Sequence, residues 1–433
     1  RKLPFLAGEC VVELDASRAR EVLAVVQETQ LPLVLLFNRG RLMVLPQAVS
    51  KATGLREALR ALRLSPHDAV GVGDAENDHQ LLSVCELGIA VAWGSPALKA
   101  AADEILPGDG PGAVAGLIQQ LIAEPLLAPA RFARRRTHLG VREGGRPLEL
   151  ALRGQNVLIA GDTQSGKSWV AGVLCEQLVL EHYCVCVIDP EGEYASLREL
   201  PSVVVFDAKS APGLDDLERT LRYPDVSAVL DLSAMTLEAK CAYARAVLER
   251  LGDLRRRTGL PHRIVVDEAH YFLRNRSVVE LLDLQRGGYT LVTWHATQLP
   301  EDLISSTGAI IVTRVSDPDE ARALHKLRGG AYDVGAWSSL LAALDLEQAA
   351  LLPGAEESGG EVVQFHVSAR MTPHARHFQK YLNQRVPPGR AFVLQGDGAD
   401  GREAHSLGEL LSLLSGAPEL GGQPVEPAER FAP

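Results

Sequence analysis

Eight consecutive residues have the spacing of a phosphate-binding loop, G-x-x-x-x-G-K-[ST]. An apolar run precedes this loop and a stretch compatible with a helix follows it. The glycines let backbone N–H groups surround phosphate oxygens, and the start of the helix attracts the same anion. The loop consists of Gly161, Asp162, Thr163, Gln164, Ser165, Gly166, Lys167 and Ser168. Lys167 can reach the β and γ phosphates and Ser168 can hold Mg²⁺, so we expect ATP and Mg²⁺ as ligands.

A pair of acidic residues further along the chain supports this prediction. Asp267 and Glu268 directly follow an apolar run at 264–266. At the carboxyl end of a strand, Asp267 can join the Mg²⁺ shell beside Ser168, and Glu268 can orient or activate the attacking water. The alternative is a pair of acids that only faces solvent.

Three other polar residues each follow a predicted strand. Gln298 can sense the γ phosphate. Arg314 can act as an arginine finger, on its own site or on a neighbouring subunit, or it can form a structural ion pair with Asp317 or Asp319. Asp189 lies where open α/β sheets bind ligands, or it simply forms a turn.

Four short motifs in this part of the chain resemble the HerA/FtsK-type branch of P-loop ATPases, which is related to conjugative coupling ATPases. They are Val-Ile-Asp-Pro-Glu-Gly-Glu-Tyr at 187–194, Asp-Glu-Ala-His at 267–270, Ala-Thr-Gln at 296–298, and the strand-terminal Arg314. The resemblance covers about 150–325. It implies phosphate and Mg²⁺ binding by Lys167 and Ser168, metal and water roles for Asp267 and Glu268, and sensor and finger roles for Gln298 and Arg314. Members of this branch are often hexameric motors on DNA, so a homo-oligomer and DNA are the implied partners.

The N-terminal part has a second constellation with metal chemistry. An apolar run ends in a glycine turn that carries Asp74, Asn77 and Asp78. Asp74 and Asp78 can share a Mg²⁺ ion, which prefers oxygen ligands. Lys51, at the start of a predicted helix, can neutralise a substrate phosphate beside that metal.

These residues resemble the haloacid dehalogenase (HAD) superfamily, notably its Cof-like sugar phosphatases, from 45 to about 121. The resemblance implies that Lys51 binds phosphate, that Asp74 and Asp78 bind metal with Asn77 alongside, and that 1–44 is the end of a cap domain. The Asp-x-Asp motif that carries the nucleophile of the family is missing from 1–50. We therefore expect no aspartyl-phosphate chemistry, and the start at Arg1 instead of Met favours a fragment.

Composition excludes some function classes. The 433 residues include 46% hydrophobic and 23% charged residues, which is ordinary for a soluble globular protein. A net charge of −11 argues against a broadly basic surface that coats DNA. The apolar runs are too short to span a bilayer, and the six cysteines are expected to be reduced core residues of a cytoplasmic protein. The arginines at 134–136 and 255–257 are expected on solvated surfaces.

The pattern of elements predicts an α/β fold. It consists of a P-loop NTPase parallel sheet with helices on both faces, preceded by a partial HAD-like Rossmannoid domain. The predicted strands of the parallel sheet are 157–160, 183–188, 203–206, 228–232, 263–266, 290–294 and 310–313. The predicted domains are a HAD-like part at 1–125, a linker at 126–147, an ATPase domain at 148–345, a small α+β extension at 346–415 and a disordered tail at 416–433.

We expect Mg-dependent ATP binding and hydrolysis by the P-loop domain. One alternative is a bifunctional enzyme that combines a small-molecule kinase with a sugar-phosphate phosphatase. Another is a regulatory binding protein that is switched by nucleotide. A basic cluster near the C-terminus is either an anion or substrate site or a solvated helix face; it contains Arg370, His374, Arg376, His377 and Lys380.

Overall fold

The structure is a computed structural model of the chain. It describes residues 4–124, 134–207, 211–330, 332–355, 358–373, 392–396, 399–404, 406 and 409–410. The chain divides into two compact units, Arg1–His374 and Ala375–Pro433. Within the described residues, every helix is too short or too polar to cross a membrane.

The N-terminal region, residues 4–124, contains two small sheets. Its strands are β1 (Leu6–Ala7), β2 (Val12–Asp15), β3 (Leu33–Asn38), β4 (Arg41–Pro46), β5 (Val70–Gly73), β6 (Leu87–Val91) and β7 (Glu104–Leu106). Its helices are α1 (Ala19–Thr29), α2 (Lys51–Leu62), α3 (His79–Val84), α4 (Pro96–Ala101) and α5 (Gly110–Ala123). The first four strands form an antiparallel sheet in the order β1-β2-β4-β3, and the other three form a parallel sheet in the order β5-β6-β7. Ser50 begins α2 with a reciprocal capping box that includes Thr53.

The large-sheet region, residues 134–373, is built on one sheet of eleven strands. The strands are β8 (Thr137–Arg142), β9 (Pro147–Leu150), β10 (Asn156–Ala160), β11 (Val185–Asp189), β12 (Val203–Phe206), β13 (Ser227–Asp231), β14 (Arg263–Val266), β15 (Tyr289–Thr293), β16 (Thr307–Val312), β17 (Gln348–Leu351) and β18 (Val363–Val367). The helices are α6 (Lys167–Leu180), α7 (Leu214–Leu221), α8 (Leu237–Thr258), α9 (Ala269–Phe272), α10 (Arg276–Val279), α11 (Glu301–Ser305), α12 (Pro318–Arg328) and α13 (Val334–Ala342).

The strand order is β12-β13-β11-β14-β15-β10-β16-β17-β18-β8-β9. All pairs from β12 to β16 are parallel, and the pairs from β16 to β9 are antiparallel. Alternate residues of β10 join different cores: Leu158 packs with α8, α12 and α13, whereas Ile159 packs with α6. Helices therefore cover both faces of the parallel part, which confirms the predicted fold class.

The sheet extends across both predicted boundaries of the ATPase domain, at its N-terminal and its C-terminal end. β8 lies in the stretch expected to be a linker, and β17 and β18 lie in the expected C-terminal extension. Antiparallel pairing with β16 joins these strands to the parallel part. The expected linker residues 126–133 and the tail at 416–433 lie outside the described residues.

A buried polar contact joins the N-terminal region to the large-sheet region. It is formed by His67 and Glu86 on one side and Tyr183 and the carbonyl group of Glu181 on the other. His67 Nδ1 lies 2.7 Å from the Glu86 carboxylate, and Nε2 lies 2.8 Å from the Glu181 carbonyl oxygen. The Tyr183 hydroxyl donates to Glu86 at 2.9 Å, and its ring stacks on His67. The N-terminal region and the large-sheet region therefore pack against each other through buried side chains that include an ionisable pair.

Two expectations about surface residues hold only in part. Arg255 is buried against the ring of Tyr289, whereas Arg256 and Arg257 beside it are exposed. Arg134 is exposed, although its guanidinium also donates to carbonyl groups at the end of α3. All six cysteines are free, but Cys10 is exposed and Cys241 is only half-buried. They are therefore not all core residues.

The second unit has one described hairpin. Its strands are β19 (Phe392–Gly396) and β20 (Ala399–Ala404), which pair antiparallel. Most of the expected α+β extension beyond residue 373 falls outside the described part.

Candidate functional site

The phosphate loop connects β10 to α6 at the carboxyl end of the parallel strands. Ser165 is fully buried; its hydroxyl donates to the Asp162 carbonyl at 2.7 Å and lies 2.6 Å from the hydroxyl of Thr313. A Cβ atom on Gly161 would lie 2.0 Å from that Thr313 oxygen, so only glycine fits at this position. The loop is thus held against the end of β16.

Lys167 lies inside the curve of this loop. Its ammonium donates to the Asp162 carbonyl at 2.7 Å, and only 7% of the residue is exposed. Burial lowers the pKa of Lys167, although the negative charges of Glu268 and Asp267 oppose the shift. Ser168 follows in the first turn of α6, whose leading N–H groups have no acceptor within the helix.

Asp267 and Glu268 follow β14, which is separated from β10 by β15. Asp267 is almost fully buried, and its pKa is raised well above the usual value by burial and by the charges of Glu268 and Glu193. Glu268 has φ 44° and ψ 47°, a left-handed conformation that is costly for a residue with a side chain. Crowded oxygen ligands of this kind fit Mg²⁺, which would relieve the repulsion between the carboxylates.

The segment after β15 lies between the phosphate loop and the Asp267–Glu268 pair, because β15 lies between β14 and β10. Residues Ala296–Gln298 form a short 3-10 helix. The Gln298 side-chain oxygen is buried and has no hydrogen-bond partner within the described part of the chain. Glu320 of α12 accepts the backbone N–H of Thr297 at 3.2 Å and fixes this segment.

Arg314 is half-buried just beyond β16, and its carbonyl accepts the N–H of Asp162 at 2.8 Å. The structure thus places it next to the phosphate loop. Asp317 caps α12 through the N–H of Asp319, and Asp319 pairs with Arg322. Over the described ranges, neither aspartate forms the ion pair with Arg314 that was the alternative.

Asp189 serves the turn after β11. Its carboxylate accepts backbone N–H groups from the four residues 191–194, at 2.6 to 3.2 Å. Burial raises the pKa of Asp189 to about 7, although these hydrogen bonds favour the ionised form. A turn is therefore the role that these contacts support.

The N-terminal constellation is also assembled. Lys51 donates to one carboxylate oxygen of Asp78, and the N–H of Asp74 donates to the other at 2.9 Å. Burial would raise the pKa of Asp78, but these hydrogen bonds outweigh burial and lower it. The Asn77 side-chain oxygen is buried without a hydrogen-bond partner among the residues described. Arg39, which the sequence did not single out, forms an ion pair with Asp74.

Arg370 has a different position from the one expected. Residues 368–372, which we call the α6 strap, cross α6 directly after β18. Arg370 donates to buried Glu176 at 2.9 Å, and Ser368 accepts the indole N–H of Trp169 at the same distance. The other members of the basic cluster, from His374 to Lys380, lie outside the described residues. Glu176 carried no motif signal, because a single acid in an apolar helix has no recognisable spacing.

Two family models match the chain. Residues 10–118 match the model described as haloacid dehalogenase-like hydrolase. Residues 148–283 match the model described as the central domain of helicase HerA. These matches confirm both resemblances inferred from the sequence, and the chain combines a HAD-like domain with a HerA-like ATPase domain.

Several known proteins are similar to parts of the chain. It is 38% identical over 64 residues to the chloroplastic endoribonuclease YBEY of Arabidopsis thaliana. The matched residues cover 15% of this chain and 11% of that protein. It is 35% identical over 78 residues to a phosphoglycolate phosphatase of Methanoculleus marisnigri, covering 18% of this chain and 32% of that protein. The genome packaging NTPase B204 of Sulfolobus turreted icosahedral virus 2, solved with AMPPCP, is 15% identical, with a TM-score of 0.38 over 50% of this chain and 99% of that chain. The chain spans less than a third of the length of either curated relative.

Proposed function

We propose that the large-sheet region binds ATP with Mg²⁺ and hydrolyses it to ADP and phosphate. The observation that carries this proposal is the position of Lys167, which is almost fully buried at the end of a phosphate loop and donates to the Asp162 carbonyl at 2.7 Å. The negative charges of Asp267 and Glu268 act on this lysine. A buried lysine in the field of two acids is suited to a ligand that brings both negative charge and a metal.

Each residue has a role in this reaction. Lys167 and the N–H groups of the loop bind the β and γ phosphates, and Ser168 and Asp267 hold Mg²⁺. The metal, when bound, offsets the charge of the phosphates. Glu268 orients a water and accepts its proton while the water oxygen bonds to the γ phosphorus and the bond to the β–γ bridging oxygen breaks. Gln298 contacts the γ phosphate through its amide N–H groups, because its oxygen can only accept, and Arg314 stabilises the charge that develops.

The direct test is phosphate release from Mg-ATP by the purified chain and by Lys167→Ala. We expect the variant to lose nucleotide binding and turnover, because the γ phosphate loses its cation. Lys326→Ala, which removes an exposed lysine from α12, is the matched control and should retain full activity. Full activity of Lys167→Ala would overturn the assignment of the loop.

The same assay with double-stranded DNA tests the partner. The HerA family description supports a DNA-linked task, whereas the net charge of −11 limits any contact to a local basic surface. Strong stimulation by DNA would support a motor and a homo-oligomer in which Arg314 acts on a neighbouring site. Slow turnover at a rate that DNA does not change would favour the kinase or the nucleotide-switched protein.

A second candidate function belongs to the N-terminal region. Lys51, Asp74 and Asp78 meet at the end of β5, this region matches the haloacid dehalogenase-like hydrolase model, and one relative of the chain is named a phosphoglycolate phosphatase. We propose that this site binds a phosphorylated small molecule. Because the expected nucleophile is missing from the sequence, binding without release of phosphate is the expected result, measured by calorimetry with a sugar phosphate and with Lys51→Ala as comparison.

A further inference from the structure

His270 is a buried residue whose ring lies near the proposed water-activating acid on one side and contacts Trp294 on the other. Its Nδ1 lies 3.4 Å from a carboxylate oxygen of Glu268 and 3.1 Å from the hydroxyl oxygen of Thr293. Its Nε2 lies 3.0 Å from the indole nitrogen of Trp294. Only 1% of His270 is exposed, so water does not replace these contacts.

The chemistry of these partners fixes the proton on the imidazole ring. An indole N–H can only donate, so Nε2 of His270 must accept from Trp294. In the neutral ring, the proton then lies on Nδ1 and points towards Glu268 and Thr293. Trp294 thus places the His270 proton on the nitrogen that lies 3.1 Å from Thr293 and 3.4 Å from the acid that is proposed to handle the water.

A continuous series of contacts links Trp294 to the proposed sensor. The Trp294 ring lies against His295, and His295 Nδ1 lies 3.2 Å from the carboxylate of Glu320. The same carboxylate accepts the backbone N–H of Thr297, the residue before Gln298. These contacts form a continuous physical connection between the Gln298 segment and the His270 ring that lies near Glu268.

Nδ1 has two acceptors and a single proton to share between them. In one arrangement, which the distances in this structure show, the N–H donates to Thr293; in the other it donates to Glu268 and adds a contact that holds that carboxylate.

We infer that His270 is a positioning residue that orients Glu268 according to the state of the Gln298 segment. This inference rests on the proposed hydrolysis of ATP. It gives Trp294, which is 39% exposed, a task in regulation of the site.

Two substitutions of His270 separate its two contacts. In His270→Asn the amide nitrogen takes the place of Nδ1, so the donor to Glu268 is kept. In His270→Gln the amide lies near the place of Nε2, so the contact with Trp294 is kept and the donor to Glu268 is lost. We expect kcat to fall about 10- to 100-fold in His270→Gln, the scale for a misplaced reacting group, with KM within about twofold. His270→Asn should recover most of kcat.

Trp294→Phe removes the indole N–H and keeps an aromatic ring. We expect it to lower kcat in the same direction as His270→Gln, without loss of ATP affinity measured with a fluorescent ATP analogue. Trp93→Phe, at a tryptophan that is 38% exposed in the N-terminal region, is the matched control and should behave as the wild type. Thermal unfolding of every variant is recorded, and Trp294→Phe keeps the test valid if either His270 variant does not fold.

The outcomes distinguish the inference from the proposed function. A wild-type chain that binds and hydrolyses no ATP would overturn the proposed function. An active wild type with unchanged kcat in His270→Gln and Trp294→Phe would overturn only the role of His270. Equal losses of kcat and affinity in the Asn and Gln variants would also overturn it, because they indicate a merely structural residue.

Discussion

Glu268 combines a strained backbone with a crowded electrostatic environment. Left-handed φ and ψ at a residue with a side chain cost on the order of 1–3 kcal/mol and persist where the surroundings fix them. Here the N–H of Asp267 donates to the Ile188 carbonyl of β11 at 3.1 Å, which anchors the turn from the sheet side. Strain at this residue is therefore consistent with a carboxylate held for chemistry.

Glu268→Gln tests that role at the level of one atom. We expect ATP binding to be kept within about twofold, because an amide has the same shape, while turnover falls roughly 10²- to 10⁴-fold for lack of a proton acceptor. Binding and phosphate release are measured on the same preparation. Glu280→Gln, at an exposed acid of the same region, is the control. Normal turnover of Glu268→Gln would mean that another group positions the water.

Contiguous motifs explain which site residues the sequence could predict. The phosphate loop and the Asp267–Glu268 pair are recognisable because their spacing is local. Thr313, which contacts Ser165, and Arg39, which pairs with Asp74, have no local signal, since folding alone brings them to their partners. Both contacts depend on how distant segments of the chain pack together.

At the scale of elements, α6 depends on the α6 strap. Both side chains of the Arg370–Glu176 pair are 1% exposed, and the Glu176 carboxylate also accepts N–H groups of Met371 and Thr372. Gly172 makes room for the strap, because a Cβ atom there would lie 2.6 Å from the Arg370 guanidinium. The helix that begins at the phosphate loop is thus fixed by the chain after β18.

Arg370→Leu should be strongly destabilising. It leaves the Glu176 carboxylate buried without its cation, and breaking a buried pair in this way costs about 3–5 kcal/mol. Arg322→Leu breaks the exposed pair with Asp319 and should cost about 0–1 kcal/mol. The free energies of unfolding come from urea titrations. Equal effects of the two substitutions would contradict the importance of the strap.

Strand positions were predictable where the strands are continuous apolar runs. The fully buried β14 and the half-buried edge strand β12 are both such runs, and both have the predicted bounds. β17 was not predicted as a strand, because Gln348–Leu351 is short and rich in alanine, and β8 alternates polar and apolar residues near the arginines of the expected linker. Their place in the sheet depends on pairing between distant segments.

At the scale of the whole molecule, the buried contact around Glu86 should make the packing of the N-terminal region on the large-sheet region less stable at low pH. Burial would raise the pKa of Glu86, but hydrogen bonding and the charge of His67 outweigh burial and lower it below its usual value of 4.5. A group whose pKa is lower in the folded state stabilises the fold above its unfolded pKa, and this stability is lost as the pH falls through the folded value.

In Glu86→Gln the free energy of unfolding should therefore decrease less steeply as the pH falls below about 4.5. At pH 7 we expect it to be destabilising by about 1–3 kcal/mol, because a buried hydrogen-bonded charge is removed. Urea unfolding from pH 3.5 to 7 measures both effects. Glu57→Gln, at an exposed position of α2, is the control and should leave the profile unchanged. An acid dependence that is identical in Glu86→Gln would assign the effect to other groups.

The pairing of β8 with β18 has a consequence for synthesis of the chain. At about 5–20 residues per second, the roughly 220 residues between the partners Arg142 and Phe365 take on the order of ten to forty seconds to emerge. During that time the edge of the β8–β9 hairpin has no strand to pair with, and an open edge invites pairing with other chains. Translation speed and chaperone binding over this interval therefore influence how much of the newly made protein reaches the native sheet.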